Sequence, residues 1–283
     1  MELFKNIIKG IVVGVANIIP GVSGGTMMVS MGIYDKLIHC ITHFFKDFKE
    51  NIKFLIPVGI GIVLGLVGLS FIIEPAFEHF PLPTNGMFIG LIVGGLPAIF
   101  KKVKGEKFKF GYVLPLIIFF AVVVGLAAIG EKEGNAADLT FNIINVLKLF
   151  MVGVIASATM VIPGVSGSMM LLLLGYYNPI IETINTFVKA VLSFDIPVVL
   201  QTCGVLVPMG LGIVVGVIGI AKLVELIFNK CPMYAYWGII GLIAASPIAI
   251  LLVGELGTIT VLNVIVSLVT FAVGFFIAMK LGD

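Results

Sequence analysis

The chain has 283 residues, of which 60% are hydrophobic and only 11% charged, against roughly 25% charged in an ordinary soluble domain. So few charges cannot cover that much apolar surface in water, which makes lipid the solvent, and a net charge of +2 excludes a strongly basic surface for nucleic acid. All seventeen basic residues are lysines, so the usual bidentate clamp for phosphate, arginine, is missing from whatever site the chain builds.

In chain order, ten apolar segments are expected, at 7–19, 22–38, 54–73, 86–100 and 111–130, then at 143–162, 165–183, 197–221, 233–253 and 258–279. The opening carries Glu2, Lys5 and Lys9, and the apolar run behind it ends in Pro20-Gly21. It does not read as a cleavable signal, which ends in a small-residue cleavage site. Cys40, Cys203 and Cys231 form no CxxC pair and read as apolar fillers rather than as a disulfide or zinc framework.

Three ordered blocks recur. Pro20-Gly21-Val22-Ser23-Gly24-Gly25 returns as Pro163-Gly164-Val165-Ser166-Gly167-Ser168, with Gly32 and Tyr34 matched by Gly175 and Tyr177. Pro57, Gly59, Gly61, Gly65, Gly68 and Glu74 return as Pro208, Gly210, Gly212, Gly216, Gly219 and Glu225 at constant spacing, and Gly90-Leu91-Ile92 returns as Gly241-Leu242-Ile243. Such ordered self-similarity is the mark of a duplication. The repeats are 1–140 and 141–283, each holding two segments that meet at the Pro-Gly-Val-Ser-Gly turn and three longer ones.

From Lys9 to Pro20 is eleven residues, about 16 Å of helix, or half of a roughly 30 Å hydrocarbon core. Each pair is therefore read as a re-entrant hairpin, 7–38 and 143–183, stopping near the midplane where protein shields it. The expected fold is an all-α integral membrane protein of ten short membrane helices: two re-entrant hairpins and six spans. With a cytoplasmic N-terminus, fourteen lysines fall inside, including the cluster from Lys101 to Lys109, and only Lys132, Lys148 and Lys189 fall outside. That satisfies the positive-inside rule, places both termini in the cytoplasm and puts the protein in the cell membrane as a multi-pass chain. Three crossings per half make the repeats inverted; a ten-span reading has the same parity.

The chemistry is expected at the hairpin tips. Pro20, Gly21, Ser23, Gly24, Gly25 and Thr26 in the first, and Pro163, Gly164, Ser166, Gly167 and Ser168 in the second, end one helix and begin another. A helix start carries about half a positive charge and several free N–H donors, so it attracts anions. Glycine lets a ligand oxygen reach the backbone, and the hydroxyls add donors. Broken helices at the centre of inverted repeats are where transporters bind substrate. The alternative reading is that the same turn merely reverses the chain tightly between packed helices.

Other features are weaker. Gly21-Val22-Ser23-Gly24-Gly25 matches the nucleophile-elbow pattern, but that elbow needs a preceding strand and a histidine partner. Glu74 and Glu225 are equivalent carboxylates that either carry a coupling proton or ion or cap a helix at the interface, with Lys222 three residues before Glu225. His39 and His43 have the i, i+4 spacing of a metal pair, but with no Glu or Cys companion in the sequence they read as solvated, and neither metal nor cofactor is expected. Tyr234, Tyr236 and Trp237 read as an interfacial aromatic belt, and the Lys101–Lys109 cluster also suits anionic headgroups of membrane lipids.

At Ile19-Pro20-Gly21-Val22-Ser23-Gly24-Gly25-Thr26 with Gly32-Ile33-Tyr34, and at Ile162-Pro163-Gly164-Val165-Ser166-Gly167-Ser168 with Leu174-Gly175-Tyr176-Tyr177, the chain resembles the PopT-type polyprenyl-phosphate transporters. The resemblance runs over essentially the whole chain. It implies a non-enzymatic flippase returning undecaprenyl phosphate from the outer to the inner leaflet for cell-envelope synthesis. Members commonly place an acidic residue before the first signature, where this chain has Asn17, so Asn17 joins Glu74 and Glu225 as a candidate coupling position. Two alternatives remain: a small-anion transporter or channel, and a membrane polyprenyl-diphosphate phosphatase, which needs a phosphate clamp that a chain without arginine supplies poorly.

Overall fold

The computed structural model describes residues 2–17, 22–68, 70–129, 134–254 and 256–282, without the side chains of Ser70, Phe71 and Glu74. Among them every regular element is helical. In order they are α1 (Glu2–Ala16), α2 (Gly24–Ser30), α3 (Tyr34–Thr42), α4 (Phe48–Val63), α5 (Ser70–His79), α6 (Pro81–Val103), α7 (Val113–Ile129), α8 (Ile143–Val161), α9 (Gly167–Leu173), α10 (Tyr177–Leu192), α11 (Ile196–Lys230), α12 (Pro232–Val253) and α13 (Val261–Gly282). One π-helical turn, Leu64–Gly68, continues α4, and a 3-10 turn, Phe110–Tyr112, leads into α7.

Among the described residues seven helical stretches are long and apolar enough to cross a membrane: Phe48–Gly68, Pro81–Val103, Phe110–Ile129, Ile143–Val161, Ile196–Lys230, Pro232–Val253 and Val261–Gly282. The protein is a multi-pass membrane protein. Six of the seven correspond to the six expected spans. The seventh is α8, which the sequence reading makes one limb of a re-entrant hairpin; its 19 residues give about 28 Å of helix, long enough to cross on length alone.

Helix ends differ from expectation for a common reason. Charged residues stop an apolar run but need not stop a helix, since they leave the hydrocarbon while the backbone continues. Thus α4 begins at Phe48 and carries Lys49, Glu50 and Lys53, and α11 runs on through Lys222 and Glu225 to Lys230. The segments expected at 22–38 and 165–183 are each broken in two. Gly32 and Gly175 stand at φ +66° and +76°, a left-handed conformation that ends α2 and α9 and that a side chain disfavours.

The chain forms two compact units: Met1–Gly130 with Pro163–Val165 and Lys222–Asp283, and Glu131–Ile162 with Ser166–Ala221. In the first, α1 lies along α4 with glycines on both faces: Gly10 and Gly14 meet the carbonyls of Val58 and Ile62, while Gly61 and Gly65 meet those of Ile7 and Ile11. Small residues let backbones approach this closely where lipid supplies no hydrophobic drive between helices. Also in this unit α6 runs along α13 and α12 along α7. Gly90 seats on the carbonyl of Phe271 in α13, and its repeat partner Gly241 seats on that of Leu116 in α7. Met27, Met31, Ile92, Ile243 and Ile250 fill the interior, whereas Leu114, Ile117 and Val122 on α7, and Leu268, Val269 and Phe276 on α13, are exposed. That exposure is what a lipid-facing helix presents.

In the second unit α8 packs on α11 by the same device, Gly153 against the Met209 carbonyl, Gly212 against that of Phe150, and Gly216 against Ser157 and Val154. Leu149, Ile180, Val205 and Met209 form its buried cluster, with Leu139, Leu171, Tyr176 and Ile213 around them.

Candidate functional site

The first tip is described from Val22 onward; Pro20 and Gly21 lie outside the described residues. Ser23 caps α2 in extended conformation (φ −98°, ψ 131°), its side chain making no capping hydrogen bond. The Met27 amide donates to the Ser23 carbonyl at 3.1 Å, so the amides of Gly24, Gly25 and Thr26 are the first-turn donors that no helical carbonyl can reach. Ser23 is 6% exposed and Thr26 0%, and the Thr26 hydroxyl has no hydrogen-bond partner among the described residues. A buried orphan hydroxyl costs about 1–3 kcal/mol and calls for an explanation. Beside it, the Asn17 amide nitrogen donates to the Val13 carbonyl at 3.0 Å, and the Asn17 side chain covers Gly24.

The second tip repeats the backbone geometry. Ser166 caps α9 at φ −94°, ψ 127°, and the Met170 amide donates to its carbonyl at 3.1 Å. Its hydroxyl is engaged, accepting from the Met169 amide at 3.5 Å and lying 2.8 Å from the Ser168 hydroxyl. Gly164 holds φ +84°, packed under Val123 and Leu242, and Gly167 is covered by Met160. Met160 stands where the first repeat has Asn17. The polar cover is thus confined to one copy. Pro163 and Val165 are buried, and Ser168 is exposed.

Of the remaining candidates, Glu74 falls in α5 with its side chain outside the described residues. Glu225 is placed in full: its Oε1 lies 3.3 Å from His43 Nδ1, with the carboxylate side chain 25% exposed. His39 Nε2 lies 3.4 Å from Asp47 Oδ2. The two histidines therefore do have acidic companions, one from the next turn of chain and one from a distant helix. Only the i, i+4 spacing signalled this in the sequence.

Near that end of the same unit, Lys102 Nζ lies 3.7 Å from Asp35 Oδ2, and the Tyr236 hydroxyl donates to the same oxygen at 3.5 Å. They line a cavity of about 390 Å³ with Tyr34, Lys101 and Gly282. Tyr236, expected only as an interfacial aromatic, has a polar task as well.

The family model for undecaprenyl phosphate translocase-like proteins matches residues 13–246. A polyprenyl-phosphate transporter of Staphylococcus aureus (strain NCTC 8325 / PS 47) is 32% identical over 289 aligned residues, covering 100% of this chain and 98% of that protein. Another protein of that name, from Vibrio cholerae serotype O1 (strain ATCC 39315 / El Tor Inaba N16961), is 29% identical over 201 residues, 66% of this chain and 62% of that one. No solved structure matches the chain significantly. With both signatures and the whole length of the chain accounted for, the protein belongs to the undecaprenyl phosphate translocase-like family.

Proposed function

We propose that the protein carries polyprenyl phosphate across the bilayer, binding the phosphate head at the helix starts 22–26 and 163–168 while the isoprenoid tail stays in lipid. The observation that carries this reading is the Thr26 hydroxyl, fully buried on a helix start without a partner among the described residues. A phosphate oxygen supplies the acceptor it lacks. Free amides of the same turn add donors, and the Asn17 side chain lies over Gly24 at the edge of this helix start. Helix starts and hydroxyls in place of arginine give binding weak enough for release. The names of the two relatives support the lipid as cargo, and the resemblance supports transport from the outer to the inner leaflet, recycling the carrier for envelope synthesis.

Inverted repeats with re-entrant hairpins are the architecture we infer. Ser23 and Ser166 share one backbone conformation and Gly32 and Gly175 another. The two repeats, 1–140 and 141–283, would exchange their last helices, since α6 pairs with α13 and α12 with α7. The lysine-based orientation puts residues 35–53, 101–109, 222–236 and 280–282 at the cytoplasmic face. Consistent with it, His43 meets Glu225, Asp35 meets Lys102 and Tyr236, and Gly32 lies against Gly282. At the opposite face the Thr270 hydroxyl donates to the Pro83 carbonyl at 2.6 Å.

The test is reconstitution into liposomes with polyprenyl phosphate loaded in one leaflet, following its appearance in the other alongside release of inorganic phosphate. Lipid movement without phosphate release is expected. Phosphate release from polyprenyl diphosphate would replace this reading by the phosphatase, and movement of inorganic phosphate alone by the small-anion transporter.

A further inference from the structure

Outside the proposed phosphate site, one group of side chains converges without serving it. His39 lies in the last turn of α3 and His43 is its C-cap residue. Their rings stack with centroids 4.5 Å apart and planes 18° from parallel. Glu225 arrives from α11, and one ligand atom from each of the three residues lies within 4.8 Å of the others. From this arrangement we propose that His39, His43 and Glu225 form a binding site for a divalent transition-metal ion of the zinc class.

Four features support this. The donor set, two imidazoles and a carboxylate, is the borderline type that takes zinc and its first-row neighbours rather than magnesium or calcium. Three protein ligands leave a fourth position for water, as in open zinc sites. Bonds of about 2.0–2.1 Å place tetrahedral ligand atoms roughly 3.4 Å apart, so the group needs to contract by little more than an ångström. His39 and Glu225 are both exposed enough to rotate toward a common centre.

The surroundings suit a cation. Asp47 is not within the group of three, but its carboxylate sits 3.4 Å from His39 Nε2. A carboxylate behind an imidazole nitrogen fixes the tautomer and presents the other nitrogen to the metal. His43 turns its Nδ1 toward Glu225 Oε1 at 3.3 Å, with the Thr42 hydroxyl 3.0 Å from the same nitrogen. The turn between them is held in place, because the buried Asn51 amide donates to the His43 carbonyl at 2.9 Å and to that of Phe44 at 3.3 Å. The negative end of the α3 dipole points the same way. An ion here joins the end of α3 to the last turns of α11, whatever the protein transports, so the inference stands apart from the transport reading.

The experiment uses full-length protein without a polyhistidine tag, metal-stripped in detergent, titrated with Co²⁺ followed by its visible ligand-field spectrum and then displaced by Zn²⁺. One saturable tetrahedral-type Co²⁺ site per chain is expected, together with a Zn²⁺-dependent rise in melting temperature. Glu225→Gln and His39→Gln/His43→Gln should abolish the site, Asp47→Asn should weaken it about 10–100-fold, and His79→Gln should leave it unchanged. Glu225→Gln keeps the shape of the side chain, so loss of the spectrum with an unaltered melting temperature of the stripped protein reports on the ligand itself. Absence of saturable Co²⁺ binding in the wild type, or its survival in both ligand variants, overturns the proposal.

Discussion

The side chain of Asn17 occupies the space that a side chain at Gly24 would need: a Cβ there would stand 2.5 Å from Asn17 Oδ1. The position read as a coupling site is therefore within reach of the helix start that we propose receives the phosphate. Asn17→Asp is expected to put a negative charge beside that site. Lipid-phosphate binding should fall by at least about tenfold at neutral pH, since charges about 4 Å apart interact by several kcal/mol at a near-surface dielectric. It should recover as the pH drops and the new carboxyl is protonated, a trend that the parent protein lacks. Binding measured across pH checks this, and a pH-independent loss would mean that Asn17 only shapes the turn.

Thr26 separates binding from folding. Its hydroxyl is buried without a partner among the described residues, so Thr26→Val should hold or raise thermal stability, by up to about 1–3 kcal/mol, as an unsatisfied group is removed at constant shape. Binding of the lipid phosphate should nevertheless weaken, by about 1–2 kcal/mol. Ser23→Ala should behave alike, having no cap hydrogen bond to lose. Ser166→Ala forfeits the contacts to Met169 and Ser168 and should lose a little stability as well as affinity. A stable Thr26→Val protein that binds like wild type would remove the hydroxyl from the site.

Neighbouring glycines on one helix should respond oppositely. A Cβ at Gly59 or Gly210 meets nothing within 4 Å among the described residues, whereas at Gly61 or Gly212 it would drive into the backbone carbonyl of Ile7 or Phe150. Gly59→Ala and Gly210→Ala should therefore be neutral or stabilising by about 0.5–1 kcal/mol. Gly61→Ala and Gly212→Ala should destabilise by about 1–3 kcal/mol through overpacking. Melting temperatures in one detergent are enough to compare the four. Equal effects within either pair would show that the glycine seams of α1 on α4 and α8 on α11 are not close contacts in solution.

What the sequence disclosed, and what it did not, follows from the range of each interaction. Proline and glycine spacing reports local geometry, and the left-handed turns at Gly32 and Gly175 fall where the repeat matched glycine to glycine. Apolar runs report solvent, so the expected spans reappear as helices. The helices run past the expected ends to Phe48 and Lys230, because charge marks the edge of lipid rather than the end of hydrogen bonding. The pairing of α6 with α13 and of α7 with α12 depends on which glycine faces fit together, and composition carries no record of that. The approach of Glu225 to His43 was hidden for the same reason: residues far apart in sequence meet only once helices have packed.

The orientation is testable at three exposed positions. Lys104 follows α6, Ala136 follows α7, and Lys189 lies near the end of α10. In the inverted-repeat reading α7 alone separates the first two, so they face opposite sides. The hairpin 143–183 enters and leaves by one face, so Ala136 and Lys189 share a side. Ala136 is the better probe than Gly134, whose amide donates to the Leu172 carbonyl at 3.0 Å and whose Cβ would press on Leu173. With Cys203 and the exposed Cys231 replaced by serine and the buried Cys40 kept, Lys104→Cys should react with a membrane-impermeant thiol reagent only from the cytoplasm. Ala136→Cys and Lys189→Cys should react only from outside. Labelling of Lys104→Cys and Ala136→Cys from one side would mean that α7 does not cross, and the two halves would then not be inverted. Labelling of Ala136→Cys and Lys189→Cys from opposite sides would mean that α8, long enough to span, crosses without a return, and the second hairpin would not be re-entrant.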